Sequence, residues 1–158
     1  MGNHASRGQA EVGMTRNHKF FVVGKPETQG SMRGFVVNNR AVLTSTNKRL
    51  KSWRFNVAAT AMANGWGSEF IDGPVRLDLD FRVRRPLAHY GKGGLKANAP
   101  KHPHTHVGDL DKLIRAIGDA LTDVVWTDDR RIVDILARKS YAPHDASEGV
   151  YIIITELE

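Results

Sequence analysis

The sequence contains no cysteine. This absence excludes disulfide bonds, zinc sites built from thiolates and catalysis by a cysteine nucleophile. No apolar run approaches the roughly 20 residues of a membrane-spanning helix, so no membrane partner is expected. Residues 1–18 also lack the continuous apolar stretch of a secretory signal peptide. We therefore expect a cytoplasmic protein that relies on a hydrophobic core for its stability.

Acidic residues are fewer than basic ones. The 158 residues include 17 Asp and Glu against 23 Lys and Arg, which gives a formal net charge of +6 at pH 7. A small domain with this excess of positive charge is suited to a polyanion such as nucleic acid. Residues 1–18 are predicted to be a disordered leader or a cloning remnant, and residues 19–158 a single domain.

Hydrophobic spacing predicts an α+β domain, with a mixed β-sheet and two main helices packed on it. Val75 to Val83 alternates strictly with polar residues, as in a half-buried strand, and Leu110 to Leu121 carries an apolar stripe at helical spacing. The expected strands cover residues 19–24, 35–37, 41–43, 74–84, 131–141 and 150–157, and the expected helices cover residues 47–64 and 109–121.

An acidic cluster is the most informative feature of the sequence. Asp109 and Asp111 lie at the start of the second predicted helix, and Asp128 and Asp129 follow in a turn. Carboxylate oxygens are the ligands that Mg²⁺ prefers, so these residues are candidate metal ligands. Helix capping and turn formation explain the same residues without a metal. A simple return of the chain also leaves Asp129 beside the far end of the helix, so spacing alone does not bring it to Asp109.

Several cations accompany the acidic cluster. Arg115 shares a polar stripe with Asp111 and Asp119, where it serves either in exposed ion pairs or in stabilising charge on a phosphate. A basic rim around the long loop that follows residue 85 is predicted to contact the DNA backbone. Its members are Arg82, Arg84, Arg85, Lys92, Lys96, Lys101 and His106. The alternating histidines 102, 104 and 106 are not expected to bind zinc, because no second ligand cluster accompanies them.

Residues 106–122 (HVGDLDKLIRAIGDALT) and 125–133 (VWTDDRRIV) resemble the RusA family of Holliday junction resolvases. That family carries a pattern similar to D-L-D-N-L-x-K-A-x-x-D-A-L, followed by a W-x-D-D turn. The match is strong over residues 107–139 and looser elsewhere. It departs from the family at Arg115, where a catalytic lysine is usual, and at Lys112, where asparagine is common.

The resemblance implies a homodimeric endodeoxyribonuclease that resolves four-way or other branched DNA by paired symmetric nicks, in the cytoplasm of a bacterial or phage-infected cell. Mg²⁺ is the expected cofactor, with Mn²⁺ as a substitute. Asp109, Asp111 and Asp129 match the essential carboxylates, and Asp128 is their neighbour. Arg115 keeps the charge of the usual lysine but cannot donate a proton. Lys112 is a further candidate DNA contact, and Asp129 could serve the site of the partner subunit.

Two alternatives from the same residues stay open. The chain could be a branched-DNA-binding protein without catalysis, in which the acidic cluster is structural. It could also be a metal-dependent nuclease that acts on flaps or forks. A pure binder has no use for carboxylates that face phosphate, so removing them should strengthen its binding.

Overall fold

The computed structural model describes residues 16–30, 32–45 and 47–158. The main elements follow the predicted order, with two short strands added in the long loop. They are β1 (Asn17–Val23), β2 (Met32–Val37), β3 (Arg40–Ser45), α1 (Leu50–Ala63), β4 (Val75–Val83), β5 (Tyr90–Gly91), β6 (Gly94–Leu95), α2 (Leu110–Leu121), β7 (Ile132–Tyr141) and β8 (Gly149–Glu156).

The main sheet has the strand order β1-β8-β4-β7. Strand β8 pairs antiparallel with β1 and β4, whereas β7 pairs parallel with β4. The parallel pair requires a crossover, and α2 lies in the connection between its two strands. This mixed sheet with two helices confirms the predicted α+β class. The pair β2–β3 forms a separate hairpin, closed by Asn38 and Asn39 at φ 48° and 63°.

Both helices contribute to one core on a single face of the sheet. The alternation along β4 buries Val75, Leu77, Leu79 and Phe81 on that face. Helix α2 adds side chains at helical spacing that are almost fully buried, among them Leu113 and Ile117. The continuous apolar stripe of α2 thus fixes which side of the helix faces the sheet, and its polar stripe faces outward.

Several boundaries differ from the predicted ones, and strands β2 and β3 are longer than the predicted residues 35–37 and 41–43. Strand β1 begins at Asn17, inside the predicted leader; residues 1–15 lie outside the described part of the chain. Helix α1 begins at Leu50 instead of Asn47, because the Asn47 side chain accepts a hydrogen bond from the Arg49 amide at 3.0 Å and forms a turn before the helix. The predicted loop after residue 85 contains a 3₁₀ turn and the small β5–β6 hairpin.

The other face of the sheet carries charged side chains at its centre. Asp80 is only 8% exposed and accepts hydrogen bonds from Ser140 at 2.7 Å, Arg82 at 3.2 Å and Arg138 at 3.4 Å. Asp78 pairs with Arg76 at 3.0 Å. These two aspartates are therefore held in ion pairs on this face of the sheet. In the described part of the chain, no helix is long and apolar enough to cross a membrane.

Candidate active site

Asp109 and Asp111 lie at the N-terminus of α2. Asp109 is the N-cap residue, in an extended conformation, and its carbonyl accepts the first helical hydrogen bond from Leu113. Its carboxylate makes no capping hydrogen bond; it is 67% exposed and lies 3.3 Å from the ammonium of Lys112. Asp111 is exposed in the first turn. Both carboxylates are therefore open to solvent at the positive end of the helix dipole.

The chain enters α2 through an unusual backbone turn. Val107 and Gly108 both have φ of +83°, a left-handed conformation that a β-branched residue such as valine rarely adopts. A Cβ added to Gly108 would lie 2.5 Å from the Thr28 methyl group, so no larger residue fits there without movement. The loop after β1 also donates a hydrogen bond from the Gln29 amide to the Lys112 carbonyl at 3.0 Å. The turn before Asp109 is thus held by the packing around it.

The second pair of aspartates lies at the other end of α2. Asp128 caps a 3₁₀ turn, where it accepts hydrogen bonds from the Arg130 amide and guanidinium at 2.9 Å. The Arg130 guanidinium, followed by its amide, holds the pKa of Asp128 below its ordinary value. Asp129 is exposed and lines an open groove with Asp119 and Asp123, which belong to the C-terminal end of α2 and the turn after it.

A single chain therefore does not gather the predicted metal ligands. Twelve helical residues separate Asp109 from the groove that holds Asp129, and such a helix is about 18 Å long. Among the residues that the structure describes, no group of three or more histidine or acidic side chains is close enough to hold one metal ion. The geometric difficulty noted from the spacing is real, because α2 keeps Asp129 away from Asp109 within one chain.

Arg115 lies one turn beyond Asp111 and is exposed. No ion pair joins it to Asp111 or Asp119 within the described part of the chain, so the predicted i,i+4 pairs do not form. Its exposed guanidinium is therefore available to an anion as far as the described residues show. This observation favours the phosphate-binding interpretation over the ion-pair interpretation.

The predicted DNA contacts fall into two groups. Some support the local structure: Arg82 binds Asp80, Arg85 donates to the Pro100 carbonyl at 2.6 Å, and Lys96 donates to the Ala88 carbonyl at 2.8 Å. Others are exposed and make no such bond among the described side chains. These are Arg84, Lys92 and Lys101. Lys112 belongs to neither group, because its ammonium forms an ion pair with Asp109.

The long loop is anchored by one aromatic residue. Tyr141, at the end of β7, has the Arg85 guanidinium 3.8 Å from its ring centre and His106 stacked at 5.7 Å. His89 meets the same ring edge-on at 5.9 Å. Burial, followed by the charge of Arg85, lowers the pKa of His89 and so favours its neutral form beside these cations. The basic loop is thereby fixed against the strand that begins just after Asp129.

Sequence reasoning missed Lys139. Its ammonium donates a hydrogen bond to the Gly108 carbonyl at 3.0 Å, directly before Asp109. The alternation along β7 places Lys139 and Tyr141 on the same strand face, which was a usable signal. What they contact could not be read from the sequence, because it depends on the path of the long loop.

The side chains at the start of α2 fit a magnesium ion by their chemistry. Asp109 and Asp111 supply hard oxygen ligands that are accessible to water, and Mg²⁺ commonly binds through one or two carboxylates while keeping several waters. The nearby ammonium of Lys112 competes for Asp109, but an exposed pair of this kind contributes little stability and separates easily.

Comparison with known proteins gives two matches. The family described as "Endodeoxyribonuclease RusA" matches residues 24–155 of the chain. A protein of Bacillus subtilis (strain 168), "Uncharacterized protein YqaN", is 30% identical over 128 residues, which cover 78% of this chain and 87% of that protein. The family match includes both aspartate pairs, Arg115 and Lys139.

Proposed function

Because the chain belongs to the RusA family of endodeoxyribonucleases, we propose that it is a magnesium-dependent nuclease that resolves four-way DNA junctions by paired symmetric nicks. The observation that carries this proposal is the exposure of Asp109 and Asp111 at the N-terminus of α2, free of the capping bonds that a structural role would require. Uncapped carboxylates beside a basic surface are expected of a metal-dependent nuclease and serve no purpose in a protein that only binds DNA.

In this proposal, Asp109, Asp111 and Asp129 hold the metal. When bound, Mg²⁺ supplies an activated water for in-line attack and neutralises charge on the phosphate. Asp128 is already engaged by Arg130, so its part is to shape the turn that presents Asp129. Arg115 stabilises negative charge on the phosphate and does not transfer a proton, because its guanidinium remains protonated.

A second copy of the chain supplies the missing carboxylate. Strand β7 is an edge of the main sheet and carries exposed apolar side chains on both of its faces. Val133 is 62%, Ile135 44% and Leu136 61% exposed. An exposed apolar edge strand with unpaired backbone groups is a ready surface for pairing with another strand. Two copies joined by a two-fold axis would pair their β7 strands antiparallel and bury these residues.

Such pairing also explains the position of Asp129. Antiparallel strands bring the start of one β7 beside the end of the other. Asp129 lies three residues before the start of β7, and Lys139 near its end contacts Gly108, the neighbour of Asp109. The dimer would therefore carry Asp129 of each chain towards the Asp109–Asp111 pair of the other, and would form two equivalent sites for the two nicks.

The exposed basic residues are the proposed contacts to the DNA backbone. Arg84, Lys92 and Lys101 are exposed and available to the DNA backbone, and Arg115 and Lys112 lie on α2 near the carboxylates. His106 packs on Tyr141 with its Nε2 buried, so it is left out of these phosphate contacts. Phosphate contacts of this kind supply affinity and position the strand, but they do not read its sequence.

Cleavage of a labelled synthetic four-way junction tests the function. The wild type and Asp111→Asn are compared in Mg²⁺, Mn²⁺ and EDTA, with a linear duplex, a flap and a fork of equal length. We expect symmetric paired nicks in the junction with either metal, and no cleavage in EDTA. Asp111→Asn should bind the junction at least as tightly as the wild type, because one negative charge facing phosphate is removed.

The other outcomes separate the remaining functions. Tight junction binding without cleavage in either metal would contradict the catalytic proposal and favour a DNA-binding protein. Faster cleavage of the flap or fork than of the junction would contradict the junction as substrate while leaving the nuclease centre in place.

A further inference from the structure

We propose that Lys139 and Tyr141 act together as positioning residues that aim Asp109 and Asp111 at the metal. We call this pair the β7 clamp. The inference rests on the proposed function and adds to it two residues that do not themselves bind metal. Both lie near the end of β7 on the face that points towards α2, since their β4 partners in the register are Phe81 and Val83, which are buried in the core.

The first half of the clamp is a hydrogen bond. The Lys139 ammonium donates to the Gly108 carbonyl at 3.0 Å. That carbonyl belongs to the peptide bond that leads into Asp109, so its direction is coupled to the orientation of the N-cap residue. Because Asp109 makes no capping hydrogen bond, the helix does not restrain its side chain through a cap. Lys139 adds a direct restraint on the turn to those from Thr28 and Gln29.

The second half of the clamp is a stacked ring. His106 packs on Tyr141 with the rings 27° from parallel and 5.7 Å apart, and Arg85 lies over the same tyrosine. Residues 106 and 108 are thus held by residues 141 and 139, at matching two-residue intervals. These two contacts restrict the movement of residues 106–108 more than either contact would alone.

The turn between the two attachments needs such restraint. Val107 and Gly108 are both left-handed, and Val107 is β-branched, so the conformation is unfavourable in an isolated chain. Thr28 fills the space beside Gly108 and blocks one direction of relaxation. Without the clamp, the segment would relax towards ordinary extended backbone and turn Asp109 away from Asp111. Strain that persists beside proposed metal ligands is consistent with a role in fixing their geometry.

Four substitutions at Lys139 and Tyr141 test the clamp. Lys139→Met removes the donor and keeps most of the apolar stem, whereas Lys139→Arg keeps a cationic donor. Tyr141→Leu removes the ring and is compared with Tyr141→Phe, which keeps it. Lys19→Met, on the opposite edge strand of the sheet, is the matched control for loss of a lysine. Each protein is measured as the full chain.

The main readout is Mn²⁺ affinity in the absence of DNA, measured by the loss of free-ion signal in electron paramagnetic resonance. Loss of a residue that orients a metal ligand typically costs about 10- to 100-fold in affinity, and we expect a change in this range for Lys139→Met and Tyr141→Leu. Lys139→Arg, Tyr141→Phe and Lys19→Met should stay within about twofold of the wild type, well below that range. Amide hydrogen exchange should rise at residues 107–111 in the two impaired variants only.

The outcomes distinguish failure of the clamp from failure of the proposed function. A wild type that cleaves the junction, with Lys139→Met binding Mn²⁺ normally, would overturn the clamp and leave the function intact. A wild type that binds no Mn²⁺ and cleaves no junction would overturn the function and the clamp with it. Lys139→Met could lower both the melting temperature and the Mn²⁺ affinity by unfolding the chain. In that case the Mn²⁺ affinities of Tyr141→Leu and Tyr141→Phe are compared, and equal affinities in that pair would overturn the clamp.

Discussion

At the scale of single residues, Asp80 is a buried carboxyl group whose pKa depends on its hydrogen bonds. Burial alone would raise the pKa of this carboxyl group, but hydrogen bonds from Ser140, Arg82 and Arg138 outweigh that effect and lower it. A lowered pKa in the folded state stabilises the protein fully above the ordinary value of 3.8, and this stabilisation is lost as the pH falls through the folded-state pKa. Asp80 therefore contributes to resistance against mild acid.

We predict that Ser140→Ala raises the pKa of Asp80, because it removes the hydroxyl that donates at 2.7 Å and leaves both arginines in place. The acid-unfolding midpoint, followed by circular dichroism, should move to higher pH. Thr155→Ala removes a hydroxyl on the same sheet that bonds to Asn17 and to no carboxylate, so it should leave the midpoint unchanged. A carboxyl carbon of Asp80 that titrates by NMR at or above its ordinary pKa in the wild type would contradict the argument.

The roles of single residues were predicted unevenly from the sequence. The position of Asp109 as N-cap follows from local rules, and the structure agrees. The role of Lys139 does not follow, because its carbonyl partner is 31 residues away in the chain. Local pattern determines where a side chain points, but its long-range contact depends on the path of the loops.

At the scale of elements, the type of each main helix and strand was predictable from hydrophobic period. Strand β4 alternates and α2 carries an apolar stripe, and both segments formed as expected. The short β5 and β6 strands were not predicted, because two residues carry no period. The sequence also did not show that β7 is an edge of the sheet, since strand order depends on how the crossover through α2 closes.

The edge position of β7 leads to a prediction about the proposed dimer. Ile135→Lys places a charge in the proposed interface, where an unpaired buried charge costs about 2 to 5 kcal/mol. The dimer should weaken by at least about 30-fold, while the fold persists, since Ile135 is 44% exposed in the single chain. Light scattering after size exclusion should report a monomer that does not cleave the junction.

Val23→Lys is the matched control for that change. Val23 ends β1, the opposite edge of the same sheet, and it is 58% exposed. The same substitution there should leave both the dimer and its activity intact. A dimeric, active Ile135→Lys variant would exclude pairing through β7.

At the scale of the whole molecule, the candidate site was only partly predictable. The ligand types and their helix position came from the residues and from the family resemblance. A dimer was expected from the resemblance alone, because intervals along a chain carry no information on contacts between two chains. Asp129 shows the limit, since the structure places it with Asp119 and Asp123 at the far end of α2 from Asp109.

A mixture of two inactive variants tests whether the site is shared between chains. Asp111→Asn and Asp129→Asn should each abolish cleavage alone. In a dimer of one chain of each kind, a shared arrangement places both substitutions in one site and leaves the other site whole. Random reassortment then restores about a quarter of the sites, since two-fold pairing gives two equivalent sites per dimer. Each mixed dimer should nick one strand of the junction instead of two.

The control mixture combines Asp109→Asn with Asp111→Asn. Both residues belong to the same end of α2, so every site in every dimer keeps one defect and no activity should return. Recovery in the first mixture and none in the second requires that Asp129 act across the interface, because a site within one chain would leave all sites defective in both mixtures. No recovery in either, with mixed dimers demonstrated by fluorescence transfer, would contradict a site that is shared between the two chains.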